Sequence, residues 1–197
     1  MKAAKALWVS LLFPRPQAEI IGGHEAKPHS RPYMALVQFL GEKSWKRCGG
    51  VLIQKDFVLT AAHCRGRKAK QTSAVKPLSL PRAKARVKPG QVCSLAGWGQ
   101  VALGTPISTL QEAELTVQED HVCESLYPRH YSRATQICVG DPRKVKTGFK
   151  GDSGGPLVCK KVVHGTFSYG KMNGIPPGVF TQVSHFLPWI KRTMKRL

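Results

Sequence analysis

Apolar and polar residues alternate over short stretches of this chain, and turns rich in glycine and proline separate the stretches. Short strands at such regular spacing are typical of a β-barrel or a β-sandwich. The pattern therefore predicts an all-β fold, with strands at Met34–Leu40, Gly50–Ile53, Phe57–Leu59, Val92–Ala96, Leu115–Val117, Pro156–Val158, Val162–Tyr169 and Gly178–Val183. Residues 65–92 show no comparable alternation, so no strand is predicted between the third and fourth of these.

The end of the chain has a helical pattern instead. Ser184 is a candidate N-cap and Pro188 falls near the first turn, where proline is tolerated. The residues that recur at helical spacing are Phe186, Trp189, Ile190, Thr193 and Leu197. A basic amphipathic helix can lie on a membrane surface, but we favour a helix docked on the body with its basic face in water.

Composition limits the remaining possibilities. The 197 residues are 42% hydrophobic, which is enough for one or two domains with a sizeable core. Six cysteines without a Cys-x-x-Cys pair indicate disulfides formed in an oxidising compartment, and not a structural zinc site. No metal or cofactor site is predicted, and six cysteines alone allow fifteen pairings.

The first residues resemble an irregular secretory signal. Lys2 and Lys5 precede the apolar run Ala6–Phe13, but Pro14-Arg15-Pro16 departs from a normal cleavage site. A leader from an alternative start remains an equal interpretation. The run is too short to span a membrane, and no membrane span is predicted elsewhere.

The net charge of +20 is large for a chain of this size. It favours polyanionic partners. Because the basic residues are not interleaved with aromatic ones, a nucleic-acid partner is not predicted. A sulfated proteoglycan is the better candidate partner for a secreted chain, and a solvated basic surface with no dedicated partner is the alternative.

Two motifs carry candidate chemistry, Thr60-Ala61-Ala62-His63-Cys64 and Gly151-Asp152-Ser153-Gly154-Gly155-Pro156. The second also fits a Gly-x-Ser-x-Gly nucleophile elbow, which needs a helix after the serine and a histidine downstream of it. A strand is predicted after Pro156 and the histidine motif lies upstream, so the histidine-before-serine order of trypsin-like proteases fits better.

The stretch Ile20–Met34 (IIGGHEAKPHSRPYM) resembles the mature N-terminus of the granzyme branch of chymotrypsin-like serine proteases, and the tail Val183–Leu197 resembles the same branch. The resemblance implies a double β-barrel with a C-terminal helix, acting as a monomeric endopeptidase on protein or peptide substrates. It implies a leader and activation segment (1–19), a truncated N-terminal barrel (20–92) and a C-terminal barrel with the helix (93–197). It also implies the secretory pathway, with a destination in a cytolytic granule or outside the cell.

The same resemblance implies roles for individual residues. His63 would take a proton from Ser153, and the Gly151 and Ser153 amides would form the oxyanion hole. Cleavage after Glu19 would free the Ile20 ammonium to pair with Asp152. The implied disulfides are Cys48–Cys64, Cys93–Cys159 and Cys123–Cys138.

Substrate preference follows from the residues at the implied specificity pocket. Thr147 on the pocket floor is neutral, so cleavage after Lys or Arg is not predicted. Gly178 lies where a relative that cuts after Asp carries a base, and Ser168-Tyr169-Gly170 would pair with the substrate backbone. We therefore expect cleavage after large apolar or aromatic residues.

The chain departs from the family at the third member of the catalytic triad. No Asp or Glu occurs from Arg65 through Gln111, where the family carries its carboxylate, and only 28 residues lie between Cys64 and Cys93. This gap predicts an incomplete first barrel and weak catalysis. Three hypotheses stay open: a granzyme-like endopeptidase, a non-catalytic homologue that binds polyanions, and a non-functional splice or gene-model product.

Overall fold

A computed structural model describes residues 20–41, 44–64, 75–99 and 108–196. Two β-sheets and two helices account for the regular structure of these residues. In chain order the elements are β1 (His24–Glu25), β2 (Met34–Leu40), β3 (Trp45–Gln54), β4 (Phe57–Leu59), β5 (Val92–Gly97), β6 (Gln111–Thr116), α1 (Asp120–Leu126), β7 (Gln136–Val139), β8 (Pro156–Cys159), β9 (Val162–Tyr169), β10 (Gly178–Gln182) and α2 (Val183–Arg196).

The larger sheet has seven strands in the order β1-β6-β5-β8-β9-β10-β7, and its paired neighbours are antiparallel. The sheet curls until β7 meets the end of β6. There Val117 pairs with Val139, and the Gln118 amide donates to the Cys138 carbonyl at 2.8 Å. The Gly140 amide also donates to the Thr116 carbonyl at 2.8 Å, which keeps the start of the segment that leads from β7 to the serine-bearing loop beside β6.

The smaller sheet contains three antiparallel strands, β2-β3-β4, in the part of the chain that the structure describes. Met34 pairs with Val51 at one end of the β2–β3 ladder and Leu40 pairs with Trp45 at the other. The first strand of the chain does not join this sheet, because β1 pairs with β6 of the larger one. An ion pair between Arg31 and Glu112 of β6, at 2.7 Å, further attaches this N-terminal segment to the larger sheet.

The main core lies inside the larger sheet. Leu95, Leu157 and Phe180 are fully buried there, and the rings of Phe167 and Phe180 meet edge to face at 5.2 Å. Burying each such side chain contributes about 1.5–3 kcal/mol. This packing joins β5, β8, β9 and β10, and the serine-bearing loop leads directly into β8.

The terminal helix packs differently from the sequence-based expectation. It begins at Val183, and the Ser184 hydroxyl accepts a hydrogen bond from the Gln182 side chain at 2.9 Å, so the prediction of Ser184 as N-cap is wrong. Val183, Leu187 and Ile190 form the buried stripe. Trp189, expected in that stripe, keeps 56% of its surface exposed. None of the helices described is long and apolar enough to cross a membrane.

Most of the predicted strands occur, and three have the predicted limits: β2, β4 and β9. The structure adds β1, β7 and α1, which the sequence pattern did not predict, and β3 is longer at both ends than Gly50–Ile53. The three disulfides are Cys48–Cys64, Cys93–Cys159 and Cys123–Cys138, the pairings that the family resemblance implied. The leader 1–19, the segment 65–74 and Leu197 lie outside the described residues.

Candidate active site

The serine-bearing loop is held by its own glycines. Gly154 has a φ of +82°, a conformation that favours glycine. A Cβ at this position would come within 2.2 Å of the Thr60 hydroxyl and 2.4 Å of the Gly49 carbonyl oxygen. The loop therefore fits tightly against β3 and against the segment that carries the histidine motif.

His63 lies in a turn after β4, and its side chain is exposed. Two bonds fix this turn on β3: the Cys48–Cys64 disulfide, and a hydrogen bond from the Thr60 hydroxyl to the Gly49 carbonyl at 2.7 Å. An imidazole nitrogen of His63 lies within 4.8 Å of both disulfide sulfurs. Because both cysteines are oxidised, this group is a disulfide with a neighbouring histidine and offers no thiolate to a metal.

The serine and histidine motifs meet across β3. The Ser153 carbonyl accepts a hydrogen bond from the Gly49 amide at 2.8 Å, and the Cys64 sulfur lies 3.8 Å from the same oxygen. The residue next to His63 thus touches the backbone of Ser153. The two motifs are therefore in contact, although Cys64 and Ser153 are 89 positions apart in sequence.

The amides of the serine loop alternate between bonded and free. Those of Asp152, Gly154 and Gly155 donate to the carbonyls of Phe149, Phe167 and Asp152 at 2.8–3.0 Å. The Gly151 and Ser153 amides donate to no other described residue. A pair of free amides beside a serine is the arrangement that can stabilise an oxyanion.

Asp152 is fully buried beneath this loop. Its carboxylate accepts hydrogen bonds from the Gly99 amide at 2.8 Å and from the Phe149 amide at 2.9 Å. Burial raises its pKa to about 6, since the two amides only partly replace the lost solvation. A Cβ on Gly97 would come within 2.2 Å of this carboxylate, so the space has no room for a larger residue there.

Ile20, the other member of the implied activation pair, is also fully buried. Its side chain lies in the core cluster that contains Leu95 and Phe167. The next residue, Ile21, pairs with Thr147, whose amide donates to the Ile21 carbonyl at 3.1 Å. The Asp152 carboxylate, the second member of the implied activation pair, accepts its hydrogen bonds from the backbone amides of Gly99 and Phe149.

The implied specificity residues divide into two groups. Ser168, Tyr169 and Gly170 line a cavity of about 190 Å³ together with Ser153. Thr147 and Gly178 do not line that cavity, and a Cβ on Gly178 would lie 3.2 Å from the Thr147 hydroxyl.

Phe167 lines the cavity with Ser153 and was missed by the sequence reasoning. A Cβ on Gly178 would come within 2.9 Å of the Phe167 ring, so the ring occupies space next to Gly178. Phe149 and Met172 also line the cavity with Ser153. Phe167 immediately precedes Ser168-Tyr169-Gly170 on β9, and its place there is the signal that could have identified it.

A second cavity of about 670 Å³ lies on another side of Ser153. Gly151 and Ser153 contribute to its wall, and the other lining residues are aromatic, basic or small: Ser44, Trp45, Lys46, Arg47, Trp98 and Lys150. The sequence analysis did not predict this cavity, because β3 begins five residues earlier than the predicted strand.

Within the described residues, no carboxylate forms an ion pair or hydrogen bond with the His63 imidazole. Four acids have basic partners elsewhere: Glu112 with Arg31 and His24, Asp120 with Arg86, Glu124 with Arg133, and Asp141 with Arg143. Asp152 is held by backbone amides, as described above.

Comparison with known proteins assigns the class. The trypsin family model matches the chain in two segments, residues 20–70 and 65–190. The chain therefore belongs to the trypsin family of serine endopeptidases, and within it to the granzyme branch.

Three curated relatives illustrate the similarity. The chain is 57% identical to human granzyme H over 227 aligned positions, which cover 91% of this chain and 92% of the relative. It is 50% identical to human granzyme B over 246 positions, with all of both chains covered. It is 47% identical to rat granzyme B, again with all of both chains covered.

Solved structures agree with the predicted fold class. A structure described as GrC superimposes with a TM-score of 0.83 at 43% identity and covers 89% of this chain and 100% of its own. Neuropsin, a serine protease of mouse brain, gives a TM-score of 0.77 at 30% identity with the same coverage. The prediction of a mainly β, chymotrypsin-like fold with a C-terminal helix is confirmed.

Proposed function

We propose that this chain is a granzyme-like serine endopeptidase in which Ser153 is the nucleophile and His63 the general base. Its turnover is strongly reduced because His63 has no carboxylate partner among the described residues. The contact between the two motifs carries the proposal: the Gly49 amide and the Cys64 sulfur both lie against the Ser153 carbonyl. The Gly151 and Ser153 amides support it, because two amides that donate to no other described residue beside a serine can stabilise a tetrahedral oxyanion.

In the proposed reaction the Ser153 hydroxyl attacks the scissile carbonyl carbon and gives its proton to His63. The imidazolium then protonates the leaving amine, and water repeats the cycle on the acyl-enzyme. A triad carboxylate normally fixes the histidine tautomer and balances the imidazolium charge. In a trypsin-type triad, replacing that acid by its amide lowers turnover about 10⁴-fold.

The alignment to human granzyme B supports an internal deletion as the cause of the missing triad carboxylate. It spans 246 positions while this chain has 197 residues, which leaves 49 positions without a residue of this chain. The two family-model segments meet at residues 65–70, inside the acid-free stretch. Strands with their turns take about ten residues each, so a loss of this size removes several strands of the first barrel.

A preference for large apolar or aromatic residues at the cut site is part of the proposal. The cavity beside Ser153 is lined by Phe149, Phe167 and Met172 and by no acid among the described residues. Thr147 and Gly178 are also uncharged. Phe167 makes the cavity shallower than the open pocket expected from Gly178 alone.

Processing and location follow from the same proposal. We expect cleavage after Glu19, pairing of the new Ile20 ammonium with Asp152, and action on protein substrates in a cytolytic granule or outside the cell. The relatives named granzyme support the location. The burial of both Ile20 and Asp152 supports the pairing, because an ammonium beside the carboxylate would compensate its lost solvation.

The test is covalent labelling of Ser153. A refolded, processed chain is incubated with a fluorophosphonate probe, and Ser153→Ala is the control for site selectivity. We expect slow labelling that is lost in Ser153→Ala and further reduced in His63→Ala, with a phenylalanine ester cleaved about 10⁴-fold more slowly than by intact relatives. Soluble, folded protein that never reacts would contradict the proposal and favour a non-catalytic homologue.

Polyanion binding is a second candidate function, supported by the net charge of +20. Lys191, Arg192, Lys195 and Arg196 are all exposed on α2. Residues four apart on a helix share a face, so these four side chains form one basic stripe. A stripe of this kind suits a sulfated polysaccharide, which binds through evenly spaced anions.

A further inference from the structure

A large cavity adjoins His63 on a side that the proposed mechanism leaves unused. It has a volume of about 440 Å³ and lies between the histidine-bearing turn, β9, β10 and α2. This volume is within the range of small-molecule sites. Ser153 does not line it, so the cavity is distinct from the two beside the serine.

One wall of this cavity is apolar. Phe186, Trp189 and Ile190 of α2 form it. Trp189 keeps 56% of its surface exposed although it belongs to a helix packed on the body of the protein. An aromatic residue this exposed beside a cavity is an available contact for an apolar group.

The opposite wall carries hydroxyl groups. Thr166, Ser168 and Thr181 contribute to it, and none of their hydroxyls hydrogen-bonds to another described residue. Each can donate a hydrogen bond to an anion. His63 stands at the same cavity, and no acid is found among the lining residues that the structure describes.

From this lining we infer that the cavity binds a small amphipathic carboxylate, with an aromatic or branched aliphatic tail against Phe186 and Trp189 and its carboxylate beside His63. An apolar wall, hydroxyl donors and an imidazole with no acidic partner among the described residues together suit this class of ligand. The high positive charge of the chain further favours an anion over a neutral molecule.

Bound there, the ligand would restore the missing part of the triad, an effect that rests on the proposed function. Ser153 would pass its proton to His63, and the ligand carboxylate would balance the imidazolium charge until that proton reaches the leaving group. The ligand is unchanged at the end of the cycle. It is thus an activator of Ser153 and not a substrate.

The experiment compares 3-phenylpropionate with 3-phenylpropionamide, a neutral molecule of the same shape. Binding to the full chain is followed by calorimetry and by tryptophan fluorescence. The rate of fluorophosphonate labelling at Ser153 is measured in parallel. We expect the acid to bind at least tenfold more tightly than the amide, and to raise the labelling rate at least tenfold.

Three variants locate the effect. Trp189→Phe should bind the acid but lose the fluorescence change, and Trp189→Ala should weaken binding by tenfold or more. Thr181→Val keeps the volume while removing a hydroxyl donor, and it should reduce the preference for acid over amide. It also remains informative if Trp189→Ala fails to fold.

The outcomes separate the two proposals. No binding, equal binding of acid and amide, or unchanged affinity in both Trp189→Ala and Thr181→Val would overturn the carboxylate site. Acid-selective binding with no labelling of Ser153 at any ligand concentration would leave the site in place and contradict the proposed protease function.

Discussion

At the scale of single residues, the position of the serine loop is constrained by the lack of space around Gly154. Gly154 and Gly90 have nearly the same backbone, with φ values of +82° and +81°. A Cβ on Gly154 would collide with Thr60 and Gly49, whereas a Cβ on Gly90 would have nothing within 4 Å. The two glycines therefore differ only in what surrounds them.

We expect Gly154→Ala to be much more destabilising than Gly90→Ala. Both variants carry the strain of a left-handed alanine, about 1–2 kcal/mol. Gly154→Ala adds overpacking against backbone atoms, which costs about another 1–3 kcal/mol or more. Urea unfolding curves of the two variants measure the difference, and equal midpoints would show that the loop is free to move away from β3.

The second residue-scale prediction concerns pH and Asp152. Burial raises its folded pKa from 3.8 to about 6, so the native chain holds this proton more tightly than the unfolded chain does. The resulting stabilisation is fully present below pH 3.8 and is lost as pH rises through about 6. We expect the unfolding free energy of the unprocessed chain to fall over this interval.

Two comparisons test that assignment to Asp152. Cleavage after Glu19 should remove the fall, because the Ile20 ammonium would lower the Asp152 pKa. Asp141 is a control with the opposite sign, since Arg143 lowers its pKa and the associated stability is lost as pH falls. The measurement is urea unfolding between pH 4 and 7. If the unfolding free energy of Asp152→Asn fell with pH as much as that of the unchanged chain, the prediction would be contradicted.

At the scale of secondary structure elements, the disulfides provide a matched pair. Cys48–Cys64 closes a loop of 16 residues and attaches the His63 turn to β3, while Cys123–Cys138 closes 15 residues and attaches α1 to β7. Loops of this length contribute about 3 kcal/mol each. Only the first disulfide lies at the candidate active site.

Replacing either pair by alanines should therefore lower the unfolding free energy by a similar amount. Only Cys48→Ala/Cys64→Ala should also slow the labelling of Ser153, because the His63 turn loses its attachment to β3. Denaturant titration and labelling kinetics of the two double variants measure both effects. An equal loss of labelling in the two variants would mean that His63 is positioned by other contacts.

Some elements could be predicted from sequence and others could not, for physical reasons. The strands β2, β4 and β9 are apolar stretches that stand between turns, which fixes their limits. By contrast, β1 consists of two polar, exposed residues and is a strand because β6 pairs with it. The four residues of β7 pair with the longer strand β10. The N-cap prediction failed because the helix begins at Val183, one residue before Ser184.

The residues of the candidate site also divide into those that the sequence predicts and those that it does not. His63 and Ser153 belong to long motifs and could be identified without a structure. Phe167 could not, because its place in the cavity wall and its closeness to Gly178 depend on how the strands pack. Trp189 was predicted to pack against the body of the protein because its helical spacing puts it on the apolar face. The spacing does not show whether another element covers that part of the face, and Trp189 is exposed.

At the scale of the whole molecule, the charge distribution gives the last prediction. The protein should be retained on immobilised heparin and elute at high salt. Replacing the four basic residues of α2 by glutamine should lower the eluting salt more than replacing four scattered, exposed lysines, Lys27, Lys55, Lys84 and Lys88. Equal shifts for the two variants would show that total charge alone binds the polyanion.

The smaller sheet is attached to the larger one by contacts that do not depend on the chain between them. Residues 21–25 pair with Thr147 and with β6, Arg31 binds Glu112, and the Gly49 amide bonds to the Ser153 carbonyl. A single backbone nick between Cys64 and Val75 would therefore leave the halves associated as a two-chain particle. The same polypeptide could be produced as two separate fragments that reassemble when mixed.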